Sequence, residues 1–192
     1  MKNFRQILSG INPEPLLAQI AAHPRLWNSD DAWTRKKYGS AIYNEDNIVL
    51  RHITLGMIGQ TLTLYEEDNP RTIWNRLAFS LLPAAQDIIF DLMRSARGEH
   101  LGKIILTRMR PGQVIGEHID NWPPQAGPPY WQRYQIPLSV APGVIFKCGN
   151  EELYMEPGRA YWFDNQKTHS VVNHSTEDRI SMLADIRPFV AL

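Results

Sequence analysis

Lys103-Ile104-Ile105-Leu106-Thr107-Arg108-Met109-Arg110-Pro111-Gly112-Gln113-Val114-Ile115-Gly116-Glu117-His118-Ile119-Asp120 reads as strand, turn, strand. The β-branched and apolar residues of 103–109 and 114–118 are those that suit a pleated, half-buried surface, and Pro111-Gly112 is a turn pair between them. The same texture runs on to the end of the chain. Short strands are predicted over 133–140, 144–147, 159–163, 170–174 and 179–186, punctuated by Pro142-Gly143, Gly149-Asn150 and Pro157-Gly158. Many short strands with frequent turns imply a sandwich or barrel.

Upstream of Gly98 the pattern is helical. Asn12-Pro13 reads as an N-cap with proline at the first helical position, and Leu16, Leu17, Ile20 and Ala21 follow at helical spacing until His23-Pro24. The segment 27–43 is rich in tryptophan and charge and reads as a loop with short helical pieces, and 47–53 reads as a strand. Asn69-Pro70 is expected to start a short helix that runs to about Phe79. The clearest helix starts at Pro83: Ala84, Ala85, Ile88, Ile89, Leu92, Met93 and Ala96 share one face, with Gly98 as the stop. The expected fold class is mostly β with flanking α. It is a double-stranded β-helix (jelly roll, cupin-like) with an N-terminal helical layer. A single domain is expected over 1–192, helix-rich 1–100 packed on a jelly roll 101–190, with no repeats and no linker.

Composition sets the outer bounds. Twenty Lys+Arg balance twenty Asp+Glu, which gives no basic stripe of the kind a nucleic-acid binder needs. The single cysteine, Cys148, excludes an intrachain disulfide and suits a reducing compartment. The first twenty residues show no signal-peptide pattern, and no apolar run is long enough for a membrane helix. The expected location is cytoplasmic and the expected partners are small-molecule or peptide substrates, with no membrane and no nucleic acid.

His118 and Asp120 are two residues apart, so at an extended strand end both side chains point to one face. His169 follows a later strand that can return beside the first. Two imidazoles and one carboxylate leave three positions of an octahedral ion open, the ligand set of a non-haem iron(II) oxygenase; zinc accepts the same ligands. Arg179 opens the apolar strand Ile180-Ser181-Met182-Leu183-Ala184, where a charge is awkward without a partner. By alternation Arg179, Ser181 and Leu183 share a face. A guanidinium fork with a hydroxyl beside it grips a carboxylate. The plain alternative for Arg179 is an ion pair with Asp178 or Glu177. His174, in a turn sequence, is the rival for His169.

These residues resemble the iron(II)/2-oxoglutarate-dependent dioxygenase superfamily, in particular its aspartyl/asparaginyl β-hydroxylase-like branch. The resemblance runs through Met109-Arg110-Pro111-Gly112, Gly116-Glu117-His118-Ile119-Asp120, Arg133-Tyr134-Gln135-Ile136-Pro137-Leu138, Glu156-Pro157-Gly158, Phe163-Asp164-Asn165, His169-Ser170-Val171-Val172-Asn173 and Arg179-Ile180-Ser181. It implies Fe(II) on His118, Asp120 and His169, with 2-oxoglutarate as co-substrate and dioxygen as oxidant. It implies the oxo-acid's C5 carboxylate on Arg179 with Ser181 assisting, and Arg133 in contact with the oxo-acid or the substrate. The best-known members of the branch lack a carboxylate in the first metal motif, whereas this chain has Asp120.

The implied activity is hydroxylation of a C–H bond, most readily of an amino acid side chain, free or in a peptide. The same chemistry on another small molecule or a nucleobase is the alternative within the enzyme class. A cupin-like metal-binding module without oxygen chemistry is the alternative outside it, and such a module has no need of Arg179 and Ser181. The proline-rich segment 121–131 follows the metal motif directly, and Trp122 and Trp131 are expected either to wall the substrate or to pack on the core.

Overall fold

Thirteen strands alternate with three helices along the residues that the structure, a computed structural model, describes: 1–29, 45–53, 57–58, 61–62, 72–120 and 131–189. The order is β1 (Phe4–Ser9), α1 (Glu14–Ala22), a 3-10 turn (Pro24–Leu26), β2 (Asp46–Ile53), β3 (Met57–Ile58), β4 (Thr61–Leu62), β5 (Thr72–Trp74), α2 (Arg76–Leu81) and α3 (Ala84–Ser95). Then come β6 (Gly98–Met109), β7 (Val114–His118), β8 (Gln132–Ser139), β9 (Val144–Cys148), β10 (Glu151–Leu153), β11 (Arg159–Phe163), β12 (His169–Asn173) and β13 (Arg179–Pro188).

Two antiparallel sheets carry the architecture. The larger has the order β1-β11-β8-β13-β6-β2-β5 and the smaller β10-β9-β12-β7. This is the double-stranded β-helix expected from the sequence. Alternation along the strands sorts the side chains to two faces. Ile48 and Leu50 of β2, Ile104 and Leu106 of β6, Ile136 and Leu138 of β8, and Met182, Ala184 and Ile186 of β13 form one core with the buried helical residues Leu16, Ile20, Ala85, Ile88, Ile89 and Leu92. The helices therefore cover the outer face of the larger sheet. Phe4, Met109, Phe146, Tyr161, Phe163 and Val171 form a second core between the sheets. The remaining inward positions of the larger sheet are largely polar: Glu45 and Asn47 at β2, Lys103 and Thr107 on β6, Arg133 and Gln135 on β8, and Arg179, Ser181 and Asp185 on β13. A barrel interior this polar is costly unless it binds something.

Several boundaries differ from the sequence reading. The segment 72–74 is a strand paired with β2, and α2 starts only at Arg76, where the Asn75 side chain accepts from the Ala78 amide at 3.2 Å. Asn69-Pro70 lies outside the described residues. Gly98 does not stop α3. Arg97 turns the chain with φ +52°, and Gly98 already belongs to β6. A Cβ on Gly98 would come within 2.7 Å of Ile186 and Met93, so the glycine is there for close packing. Strands β1, β3, β4, β5 and β10 fall outside the strands read from the sequence. β1 and β2 bring the amino-terminal half into the larger sheet, so that half is more than a helical layer. Among the described residues no helix is long and apolar enough to cross a membrane.

Candidate metal centre and oxo-acid pocket

β12 lies between β9 and β7, and its first residue pairs with the last residue of β7: His169 is opposite His118. Two residues further along β12, Val171 is opposite Ile115. The two residues from His169 to Val171 thus face three from Ile115 to His118, which is a β-bulge in β7. Partners across an antiparallel ladder point to the same side, so both Ile115 and His118 face the barrel interior, which strict alternation forbids. Bulges re-aim side chains in this way next to functional sites. The two imidazole centroids are 4.2 Å apart.

Asp120 follows β7, its amide donating to the Asn165 carbonyl at 3.2 Å. Ligand atoms of His118, Asp120 and His169 all lie within 4.8 Å of one another, close enough to share one ion. Each histidine directs Nδ1 at a backbone carbonyl two residues earlier, Gly116 for His118 and Lys167 for His169, both at 2.8 Å. A carbonyl only accepts, so Nδ1 carries the proton and Nε2 presents its lone pair to the interior. Burial lowers the pKa of His169, which favours the neutral ring that a metal requires. Oδ2 of Asp120 is buried and has no hydrogen bond. The donor set and tautomers fit a divalent ion. His174 sits in the turn after β12 and is exposed, outside this group.

Arg179 is almost wholly buried, at 3% exposure, at the start of β13. Neither Asp178 nor Glu177 pairs with it; both are exposed, and among the described residues no carboxylate forms an ion pair with its guanidinium. Its side-chain partners are neutral: Nη2 donates to Gln135 Oε1 at 3.2 Å and Nη1 approaches Met109 Sδ at 3.7 Å. Burial pulls its pKa down to about 10, with Glu45 opposing weakly. Two positions along the same face, Ser181 Oγ is buried with no hydrogen-bond partner. A buried cation and an idle hydroxyl side by side leave an anion's place open. Glu45 borders both halves of the site: burial pushes its pKa up, opposed by its own backbone hydrogen bond, Lys103 and Arg179.

Arg133 lies at the metal group. Its Nε and Nη2 grip Asp185 at 2.7 and 3.0 Å, and its Nη1 lies 2.7 Å from Asp120 Oδ2. The chain thus places Arg133 between two carboxylates at the metal group. Trp131 is buried over β6, where a Cβ on Gly102 would come within 2.7 Å of its ring; Trp122 lies outside the described residues. The sequence reading missed Asp185, Gln135, Lys103 and Glu45. Asp185 and Gln135 were within reach of it, because alternation from Arg179 and from Arg133 puts them on the inner face. Lys103 is half-buried, with its pKa lowered by burial and by Arg133.

Comparison with known proteins bears on the family and the fold. The family model described as aspartyl/asparaginyl beta-hydroxylase matches residues 30–188. No curated protein matches the sequence. Among solved structures, the chain is similar to a viral collagen prolyl hydroxylase of Paramecium bursaria Chlorella virus-1 in its 2OG complex, with TM-score 0.56 and 12% identity over 98% of this chain and 97% of that one. An oxidoreductase of the 2OG-Fe(II) oxygenase family from Burkholderia pseudomallei aligns with TM-score 0.49 and 16% identity over 77% of this chain and 71% of that one. The structural likeness is one of fold, and the family match spans most of the sequence. The chain belongs to the aspartyl/asparaginyl β-hydroxylase family, and with it to the iron(II)- and 2-oxoglutarate-dependent dioxygenases that hydroxylate their substrates with dioxygen.

Proposed function

We propose that the chain hydroxylates an amino acid side chain, free or in a peptide, with iron on His118, Asp120 and His169 and the C5 carboxylate of 2-oxoglutarate on Arg179 and Ser181. The observation that carries this reading is the buried Arg179, which has no carboxylate partner among the described residues and shares the barrel interior with the His-Asp-His group. Family membership supports an amino acid side chain as the substrate class.

Iron with 2-oxoglutarate and dioxygen supplies the oxidising power for inserting one oxygen atom into a C–H bond, with succinate and carbon dioxide as co-products. The chain's own residues do the rest. His118 and His169 offer neutral Nε2 donors held by backbone carbonyls, and Asp120 offsets part of the ion's charge. Arg179, Ser181 and Gln135 fix the far end of the oxo-acid. Val49, Ile105 and Leu183 line the inner face as an apolar patch and keep water from the centre. Holding one C–H bond against a fixed oxidant is the protein's part of the catalysis.

The test is incubation with iron, ascorbate, 2-oxoglutarate and a panel of amino acids and peptides. The expected result is a gain of one oxygen on a panel member, matched by succinate and lost in His118→Ala. Equal succinate formation by wild type and His118→Ala would refute the reading.

A further inference from the structure

Arg133 is gripped at its Nε–Nη2 edge. Asp185, fully buried at 0% exposure, occupies the Nε–Nη2 edge with two charge-assisted hydrogen bonds. Nη1 lies toward the metal group, 2.7 Å from Asp120 Oδ2 in an ion pair without hydrogen-bond geometry. A guanidinium and a metal ion compete for the same carboxylate lone pairs. An arginine free to turn would close a bidentate fork on Asp120 and leave the ion little to bind. Asp185 prevents this by taking the fork for itself.

We propose that Asp185 is a positioning residue for the metal centre, tethering Arg133 so that it orients Asp120 without sequestering it. Asp185 also neutralises the Arg133 charge, which would otherwise repel a divalent cation. The device belongs to this chain's carboxylate ligand: a metal motif without Asp120 would have nothing for Arg133 to capture. The proposal rests on the metal-centre reading above.

The experiment is Mn(II) affinity, read by electron paramagnetic resonance on the metal-free protein with no oxo-acid present. Asp185→Asn is expected to bind Mn(II) about 10–100-fold more weakly than wild type, the usual size of an outer-sphere effect. Adding Arg133→Gln to Asp185→Asn removes the captor along with the lost tether and is expected to recover part of that affinity, which a merely structural role for Asp185 would not do. If Asp185→Asn does not fold, Arg133→Lys decides, since an ammonium cannot span both carboxylates in a fork; the same loss of Mn(II) affinity is expected. Affinity equal to wild type in the folded single variant, or a double variant no tighter than Asp185→Asn, overturns the proposal alone. A wild type with no Mn(II) site overturns both this proposal and the metal-centre reading.

Discussion

His118 and His169 are cross-strand partners only because β7 carries one residue more than β12 between Ile115 and His118. The bulge brings both rings to the interior with centroids 4.2 Å apart, while Ile115 keeps its place in the core beside Val171. One irregularity in the ladder thus serves both packing and metal binding, and the rest of the interior is arranged around the pair it creates.

Arg179 should cost stability and confer function. Arg179→Met keeps the length of the side chain and removes a buried charge without an ion-pair partner among the described residues. Replacing buried ionic groups with apolar ones is often stabilising by about 1–4 kcal/mol. The expected outcome is a higher melting temperature in the absence of ligand, together with loss of 2-oxoglutarate binding by calorimetry and of succinate formation. A variant that melts lower and still binds the oxo-acid would contradict the pocket assignment.

Ser181→Ala separates the hydroxyl from the guanidinium. Because Ser181 Oγ has no hydrogen-bond partner in the fold, its removal should leave stability unchanged or slightly raised, whereas loss of a paired hydroxyl typically costs about 1 kcal/mol. Calorimetry should show weaker 2-oxoglutarate binding by about 1 kcal/mol, the worth of one net hydrogen bond.

Glu45 gives the protein a pH dependence of known sign. Burial raises its folded-state pKa above the ordinary glutamate range, opposed by its own backbone hydrogen bond, Lys103 and Arg179. A raised carboxylate pKa means that this group's contribution to stability is fully present below its unfolded pKa and is lost as pH rises through its folded pKa. Glu45→Gln, neutral at every pH, should therefore melt higher than wild type near neutrality, and the gap should close as the pH is lowered toward the unfolded value. The same substitution removes an anion near Arg179. With a field on the order of 1 kcal/mol, 2-oxoglutarate should bind about fivefold more tightly at neutral pH. A gap that widens on acidification would have the wrong sign.

Gly102 is required by the ring above it. An added Cβ would lie 2.7 Å from Trp131 and 3.0 Å from the Asp185 carbonyl oxygen. Gly102→Ala should destabilise the fold by about 1–3 kcal/mol in chemical denaturation, the usual cost of overpacking. An unchanged midpoint would mean that Trp131 is free to move and belongs to a mobile substrate wall after all.

Most of the carboxy-terminal half was legible in the sequence because its strands are bounded by Pro-Gly and Gly-Asn turns and carry β-branched runs. The helix ending at Ser95 was legible because Ile88, Ile89 and Leu92 repeat at helical spacing. β1 was not, since Phe4-Arg5-Gln6-Ile7-Leu8-Ser9 alternates poorly and gains its place only by pairing with β11. The segment 72–74 was lost to a strong but misleading helix signal at Asn69-Pro70. At the site, residue types and order pointed to His118, Asp120, His169, Arg179 and Ser181. The bulge left no local signature, and the partnership of Arg133 with Asp185 joins strands β8 and β13, so only the sheet order reveals it.

The most direct test of the account is a metal titration of the purified protein under anaerobic conditions. One ferrous ion per chain is predicted, with binding weakened in His118→Ala, Asp120→Ala and His169→Ala by more than the about 10–100-fold typical of outer-sphere changes. A wild type that takes up no ferrous ion, or a folded His169→Ala variant that binds it as tightly as wild type, would contradict the shared metal centre.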